Sequence, residues 1–236
     1  MSRPHLQATS NLAMLEYVAR KLENLNNEVV YLGGCATTLF INDPLSLDVR
    51  PTLDVDCIID VATLSAYYKF EKELAKKGFI KSPEHDVTCR WQYEEIILDV
   101  IPTNEKILGF SNQWLKDALK YAVSHRIAND LVVKSITAPY FLATKIGAFK
   151  DRGNSDYLSS HDLEDIITVI GGRVGLADEI VLANDTLKEF LKNSLKGLLR
   201  NNQFLLALPG HVNEGPSAVT EQRVRIILNR MKEIIG

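Results

Sequence analysis

Asp54 and Asp56, separated by a single residue, and Asp99, set in an apolar run, are the side chains of this chain best suited to chemistry. Alternate residues of an extended strand share a face, so Asp54 and Asp56 project together, about 7 Å apart along the chain. Two carboxylates at that spacing bracket one or two Mg²⁺ ions. Asp99 stands in Ile97-Leu98-Asp99-Val100-Ile101, where a charge is costly unless paired or bound to a metal. With the two strands side by side, three carboxylates converge. Mg²⁺ favours a few carboxylates plus phosphate oxygens, and two metals roughly 4 Å apart hold the attacking and leaving oxygens of an in-line displacement. The matching chemistry is displacement at a polyphosphate. An Asp-x-Asp pattern is equally the solvated side of an edge strand, and the pattern alone leaves both readings open.

Gly33-Gly34 follows a β-branched run and precedes a helical one. Glycines there let backbone approach a phosphate, and Thr37 and Thr38 add hydroxyls. The same residues also serve as plain turn geometry. The spacing is neither G-x-G-x-x-G nor a Walker loop, which excludes dinucleotide-fingerprint and P-loop readings.

Elements must carry these residues. Ser10 caps a helix in which Leu12, Leu15, Val18, Leu22 and Leu25 recur at helical spacing, up to Asn26 and Asn27. Residues 28–32 read as a strand and 36–41 as the start of a helix, before the loop signal Asn42-Asp43-Pro44. Residues 53–61 read as a strand with Leu53, Val55 and Cys57 on one face, Asp54, Asp56 and Ile58 on the other, and Asp60 at its end. An amphipathic helix over 64–77 stops at Gly78. Weaker strands follow over 79–81 and 87–93, then a strong one over 95–101 closed by Pro102. Beyond lie an expected helix over 113–123, a short strand over 130–136, and helices over 140–150, 161–170, 185–200 and 218–235. The expected fold is α/β (α+β): a small mixed sheet flanked by helices in residues 1–105, then a mostly helical region, 106–236.

Composition sets the outer limits. The 236 residues suffice for one large domain or two small ones. No apolar run approaches the roughly 18 residues that span a bilayer, and the first eleven residues lack a secretory apolar stretch, so no membrane association and a cytoplasmic location are expected. Cys35, Cys57 and Cys89 match no zinc or redox spacing and read as free buried thiols. The net charge of −3 does not advertise nucleic-acid binding. Lys188, Lys192 and Lys196 form a basic stripe at four-residue spacing, most simply a solvated helix face.

Taken together, Leu32-Gly33-Gly34-Cys35-Ala36, Arg50-Pro51-Thr52-Leu53-Asp54-Val55-Asp56 and Asp99 resemble the DNA polymerase β-like nucleotidyltransferase superfamily. With the lysine-bearing run Phe141-Leu142-Ala143-Thr144-Lys145 and the acidic segment His161-Asp162-Leu163-Glu164-Asp165, the chain looks more closely like the AbiEii-type nucleotidyltransferases, toxin components of abortive-infection toxin–antitoxin systems. The resemblance spans residues 31–170. It implies a nucleotidyltransferase core in the first region and a helical domain completing the active-site cleft in the second. It implies Mg²⁺, or Mn²⁺, and an NTP substrate. Asp54, Asp56 and Asp99 would bind metal, with Asp99 also a candidate base, and Gly33 and Gly34 would cradle phosphates. Lys145 would neutralise triphosphate charge, with Asp162 orienting it or acting directly. Thr38, Arg50, Thr52 and Asp165 complete the implied nucleotide contacts. The implied acceptor is RNA, with tRNA one candidate, and a toxin role implies a cognate antitoxin. The chain departs from the pattern at Gly34-Cys35, where many members carry serine after the first glycine, and at His161, where the acidic segment usually has arginine.

Three rivals remain. His161-Asp162 suggests an HD-type phosphohydrolase, but His5, His85, His125 and His211 are scattered. A non-catalytic nucleotide- or partner-binding module uses the same fold, since fold does not fix function. A third reading keeps the enzyme and makes the acceptor a small molecule or a protein.

Overall fold

The structure is a computed structural model describing residues 10–44, 46, 48–81, 89–104, 107, 113–153, 155–212 and 216–236. The chain divides into two compact units. One comprises residues 1–39 and 50–136; the other comprises 40–49 and 137–236.

The first unit is built on a seven-stranded mixed sheet of order β3-β4-β5-β2-β1-β7-β6. Its strands are β1 (Val29–Leu32), β2 (Asp54–Ile59), β3 (Ile80–Lys81), β4 (Arg90–Tyr93), β5 (Ile96–Pro102), β6 (Val123–Ala128) and β7 (Leu131–Ser135). β2 runs parallel to β5 and β1 parallel to β7. The remaining neighbours are antiparallel.

Register and two-residue periodicity give the sheet two unlike faces. Val55 and Cys57 of β2, Leu98 and Val100 of β5, Tyr31 of β1, Trp91 of β4, and Val133 and Ser135 of β7 share one face, and all are buried. The other face carries Asp54, Asp56, Asp99 and Arg90 near its middle. It ends at exposed Ser124, Arg126, Val132 and Lys134.

Helix α1 (Asn11–Leu22) starts where Ser10 accepts a hydrogen bond from the Ala13 N–H, and buries Met14, Leu15, Val18 and Leu22. Leu12 lies outside that stripe and is exposed. Leu25 sits on a 3₁₀ turn, Glu23–Asn27, that follows the helix. Helix α3 (Leu64–Lys76) is capped by Thr63 and followed by Gly78 at positive φ. Its buried Tyr67 donates a hydrogen bond to the Val100 carbonyl of β5 at 3.5 Å.

Two expectations need correction. The helix expected from residue 36 starts earlier, as α2 (Gly33–Ala36), with a 3₁₀ turn over Thr37–Leu39. Gly33 has φ +74°, so the chain turns from β1 straight into a helical turn. The helix expected over 113–123 is α4 (Leu115–Lys120) only. Val123 instead begins β6, which forms a hairpin with β7. β6 is an edge strand whose residues are exposed or half-buried, so its sequence carries little apolar alternation. Of the strand expected over 87–93, residues 87 and 88 lie outside the described set.

The second unit is helical. Helix α5 (Ala138–Arg152) has Pro139 in its first turn and buries Tyr140, Phe141, Leu142, Ala143, Ile146 and Phe149. Helix α6 (His161–Gly172) starts at Ser160, which accepts from the Leu163 N–H at 3.3 Å. Helices α7 (Leu176–Val181), α8 (Asp185–Leu199), α9 (Asn202–His211) and α10 (Ser217–Ile235) follow. The 40–49 segment is tied to this unit. Asn42 and Asp43 donate to the Gly172 carbonyl, Arg173 to the Phe40 carbonyl, and Arg230 pairs with Asp43 at 2.8 Å. Among the described residues no helix is long and apolar enough to cross a membrane.

Candidate functional site

The parallel pairing of β2 with β5 sets Asp56 directly opposite Asp99. Neighbouring strands lie about 4.8 Å apart, and in-register residues point to the same side. Asp54, two residues before Asp56, shares that side. All three acids therefore lie on one sheet face. Asp54 and Asp56 are half-buried, and Asp99 is 7% exposed.

Each acid has its own surroundings. The Thr52 hydroxyl donates to Asp54 Oδ1. Thr52 is held in turn by Asn11, whose Oδ1 accepts from the Thr52 N–H at 3.1 Å and whose Nδ2 donates to the Arg50 carbonyl at 2.8 Å. Asn11 is 6% exposed and braces the segment leading into the Asp-x-Asp strand. The Arg50 guanidinium donates to the Pro51 carbonyl at 3.2 Å.

Asp56 packs against Gly33. A Cβ built on Gly33 would fall 1.8 Å from Asp56 Oδ2, 2.6 Å from its Cγ and 2.9 Å from its Cβ. Gly33 thus meets two demands, a positive φ and an empty volume filled by the carboxylate of the neighbouring strand. Gly34 is buried in α2, and Thr38 is half-buried on the turn after it.

Asp99 is held by Arg90. The Arg90 Nε donates to Asp99 Oδ1 at 2.8 Å and a terminal nitrogen to Oδ2 at 2.7 Å. This two-pronged pair is stronger than a single neutral hydrogen bond. The Arg90 pKa is raised, first by these hydrogen bonds; burial opposes the rise, and the charges of Asp99, Asp54 and Asp56 add to it. The same negative field reaches the sheet's buried side. Burial, then Asp56 and Asp54, pushes the Cys35 thiol up; burial, then Asp56 and Asp99, does so for Cys57. All three cysteines are free and buried.

Arg90 is the site residue that sequence reasoning missed. β4 and β5 form a hairpin turning at Glu94-Glu95, with Glu94 at φ +54°. Placing that turn correctly sets Arg90 opposite Asp99 by counting. Glu-Glu is not a recognised hairpin turn signal, so nothing in the local sequence marked it.

Among the described residues no three His, Cys, Asp or Glu side chains form a ready-made metal cage. Mg²⁺ does not require one, since it is commonly held by one or two carboxylates, water and substrate phosphate. The donors here suit Mg²⁺ or Mn²⁺: they are carboxylate oxygens on one face, and the missing side chain of Gly33 leaves room for Asp56.

Lys145, Asp162 and Asp165 form a cluster of their own in the helical unit. Lys145 Nζ lies 2.7 Å from Asp165 and 3.1 Å from Asp162, and Arg152 Nε lies 3.0 Å from Asp162. Burial alone would lower the Lys145 pKa, but Asp165 and Asp162 together raise it. Burial acts to raise Asp162, and the Arg152 and Lys145 contacts outweigh it and lower it. The Lys145 ammonium is therefore paired in the interior and does not snorkel to water.

Of the described histidines, His125 contacts the Ser135 hydroxyl, His211 the Tyr157 carbonyl, and His161 is exposed at the start of α6. His5 and His85 lie outside the described residues. On the basic stripe of α8, Lys188 pairs with Asp185.

No protein-family model matches the chain, and no curated protein sequence matches it.

Proposed function

We propose that this chain is a nucleotidyltransferase that moves a nucleoside monophosphate from an NTP to an acceptor, with release of pyrophosphate. The observation that carries the reading is the in-register pairing of Asp56 with Asp99, with Asp54 on the same face. The sequence resemblance implies this activity, and the physical chemistry of the face agrees with it. Two or three half-buried or buried carboxylates on one sheet face attract divalent cations, which offset their mutual repulsion.

Asp54 and Asp56 would hold Mg²⁺ or Mn²⁺ together with the triphosphate, and Asp99 would hold metal or accept the proton of the attacking hydroxyl. The metal, when bound, supplies charge neutralisation at the reacting phosphate. Gly33 keeps the Asp56 carboxylate in place by offering no side chain against it. Thr52, braced by Asn11, fixes one Asp54 oxygen. By the resemblance the acceptor is RNA, with tRNA the leading candidate, and the chain is a toxin with a cognate antitoxin; a small molecule is the alternative acceptor.

One observation favours a second reading. Both oxygens of Asp99 are engaged by Arg90, as suits a module that binds nucleotide without turnover. Incubation with each α-labelled NTP, Mg²⁺ or Mn²⁺, and total RNA separates the two. Label on a macromolecule, abolished in Asp56→Ala and Asp54→Asn, supports the enzyme. Metal-dependent NTP binding with no transfer to RNA, protein or small-molecule acceptors supports the module.

A further inference from the structure

We propose that Arg90 alternates between two anions: Asp99 when the site holds no metal, and the substrate's triphosphate when it does. This rests on the nucleotidyltransferase reading and adds a residue to it. Arg90 and Asp99 are cross-strand partners on β4 and β5, and the guanidinium takes both carboxylate oxygens. The pair is substantially shielded, with side chains 25% and 10% exposed.

Three like-charged groups on one face are unfavourable without a counter-charge, and Arg90 supplies one at Asp99. A divalent cation using Asp99 needs at least one oxygen that Arg90 now holds, so metal and Arg90 compete. The guanidinium does not deprotonate and must pair elsewhere once displaced. Register puts it on the same face as Asp54, Asp56 and Asp99, where a metal-bound triphosphate brings acceptor oxygens that suit its fork. Arg90 is thus a positioning residue for metal and a binding residue for phosphate.

The test is a pair of binding measurements on the full chain: Mn²⁺ alone, by calorimetry or by paramagnetic resonance of free ion, and inorganic tripolyphosphate at saturating Mn²⁺. Exchange predicts opposite shifts in Arg90→Gln. Mn²⁺ binds on the order of tenfold tighter because its competitor is gone. Tripolyphosphate binds on the order of tenfold weaker because a two-pronged donor is gone. Arg90→Lys keeps the charge without the fork and falls between wild type and Arg90→Gln on both axes; it also serves if Arg90→Gln does not fold.

A purely structural Arg90 weakens both ligands together, and that result overturns the proposal. Tighter Mn²⁺ with unchanged tripolyphosphate also overturns it, since the guanidinium then has no second partner. If neither wild type nor either Arg90 variant binds Mn²⁺, the metal-site reading itself fails. If wild type binds Mn²⁺ and Arg90→Gln does not bind it more tightly, only the exchange fails.

Discussion

Replacing Gly33 by alanine tests whether the glycine turn and the Asp-x-Asp strand act as one device. The added Cβ would sit 1.8 Å from Asp56 Oδ2, and ordinary contact begins at 3.4 Å, so the carboxylate must retreat by about 1.6 Å or the turn must move. Alanine at φ +74° adds a backbone cost of roughly 1–2 kcal/mol. For a protein of this size each kcal/mol lowers Tm by about 2–4 °C, so Gly33→Ala should melt several degrees below wild type. A misplacement of about 1 Å at a reacting centre costs on the order of 10²-fold in rate, so pyrophosphate release should fall by at least that factor. Gly147→Ala is the control. Gly147 lies within α5 with nothing within 4 Å of a built Cβ, so the same chemical change should stabilise by about 0.5–1 kcal/mol and leave turnover unchanged. The two readouts come from thermal unfolding and a pyrophosphate-release assay. Wild-type Tm and turnover in Gly33→Ala would show that Gly33 does not constrain Asp56.

Lys145→Met should destabilise by about 3–5 kcal/mol, because it removes the ammonium that lies 2.7 Å from the carboxylate of Asp165, a residue 1% exposed; denaturant unfolding measures it, and a loss below about 1 kcal/mol would contradict the pairing. The same cluster has a signed pH dependence. Asp162 has its folded pKa lowered, so its contribution is present above about pH 4 and is lost as pH falls through the folded value. Lys145 has its folded pKa raised, so its contribution is full below about pH 10 and is lost as pH rises through the folded value. The Tm gap between wild type and Asp162→Asn should therefore be widest near neutrality and close on acidification; a gap constant down to about pH 2.5 would contradict this. Cys35 and Cys57, fully buried with raised pKa values, and Cys89, pushed up to about 11, should resist a thiol reagent at pH 8 until the protein is unfolded. Rapid labelling of Cys35 or Cys57 in the native state would contradict their placement.

The sequence was most readable where one residue type had one physical use. Alternation alone put Asp54 and Asp56 on a common face, and the unusual charge in residues 97–101 singled out Asp99. Helical spacing located α1, α3, α5, α6, α8 and α10 because each hides an apolar stripe. Less was visible where pairing across the sheet decides the outcome. That β2 lies beside β5 in parallel is a long-range choice absent from either segment. Arg90 joins the site only through a Glu94-Glu95 turn with no glycine or asparagine to announce it. β6 has little apolar alternation because it closes the sheet's edge. The helix α9, with Pro209 near its end, was masked by a residue that usually interrupts helices. For Lys145 the residues alone favoured a side chain reaching out to water, and the resemblance tied it to Asp162 only; its second carboxylate partner, Asp165, became visible only with α5 and α6 placed together.

The proposed activity requires the face bearing Asp54, Asp56 and Asp99 to hold a metal-bound triphosphate. Its most direct test is Mn²⁺ binding by wild type, Asp56→Asn and Asp99→Asn, each checked for an unchanged circular dichroism spectrum. Wild type should bind Mn²⁺ saturably and more tightly with added NTP, and both substitutions should weaken binding at least tenfold. Equal Mn²⁺ affinity in all three folded proteins would mean that these carboxylates hold no metal.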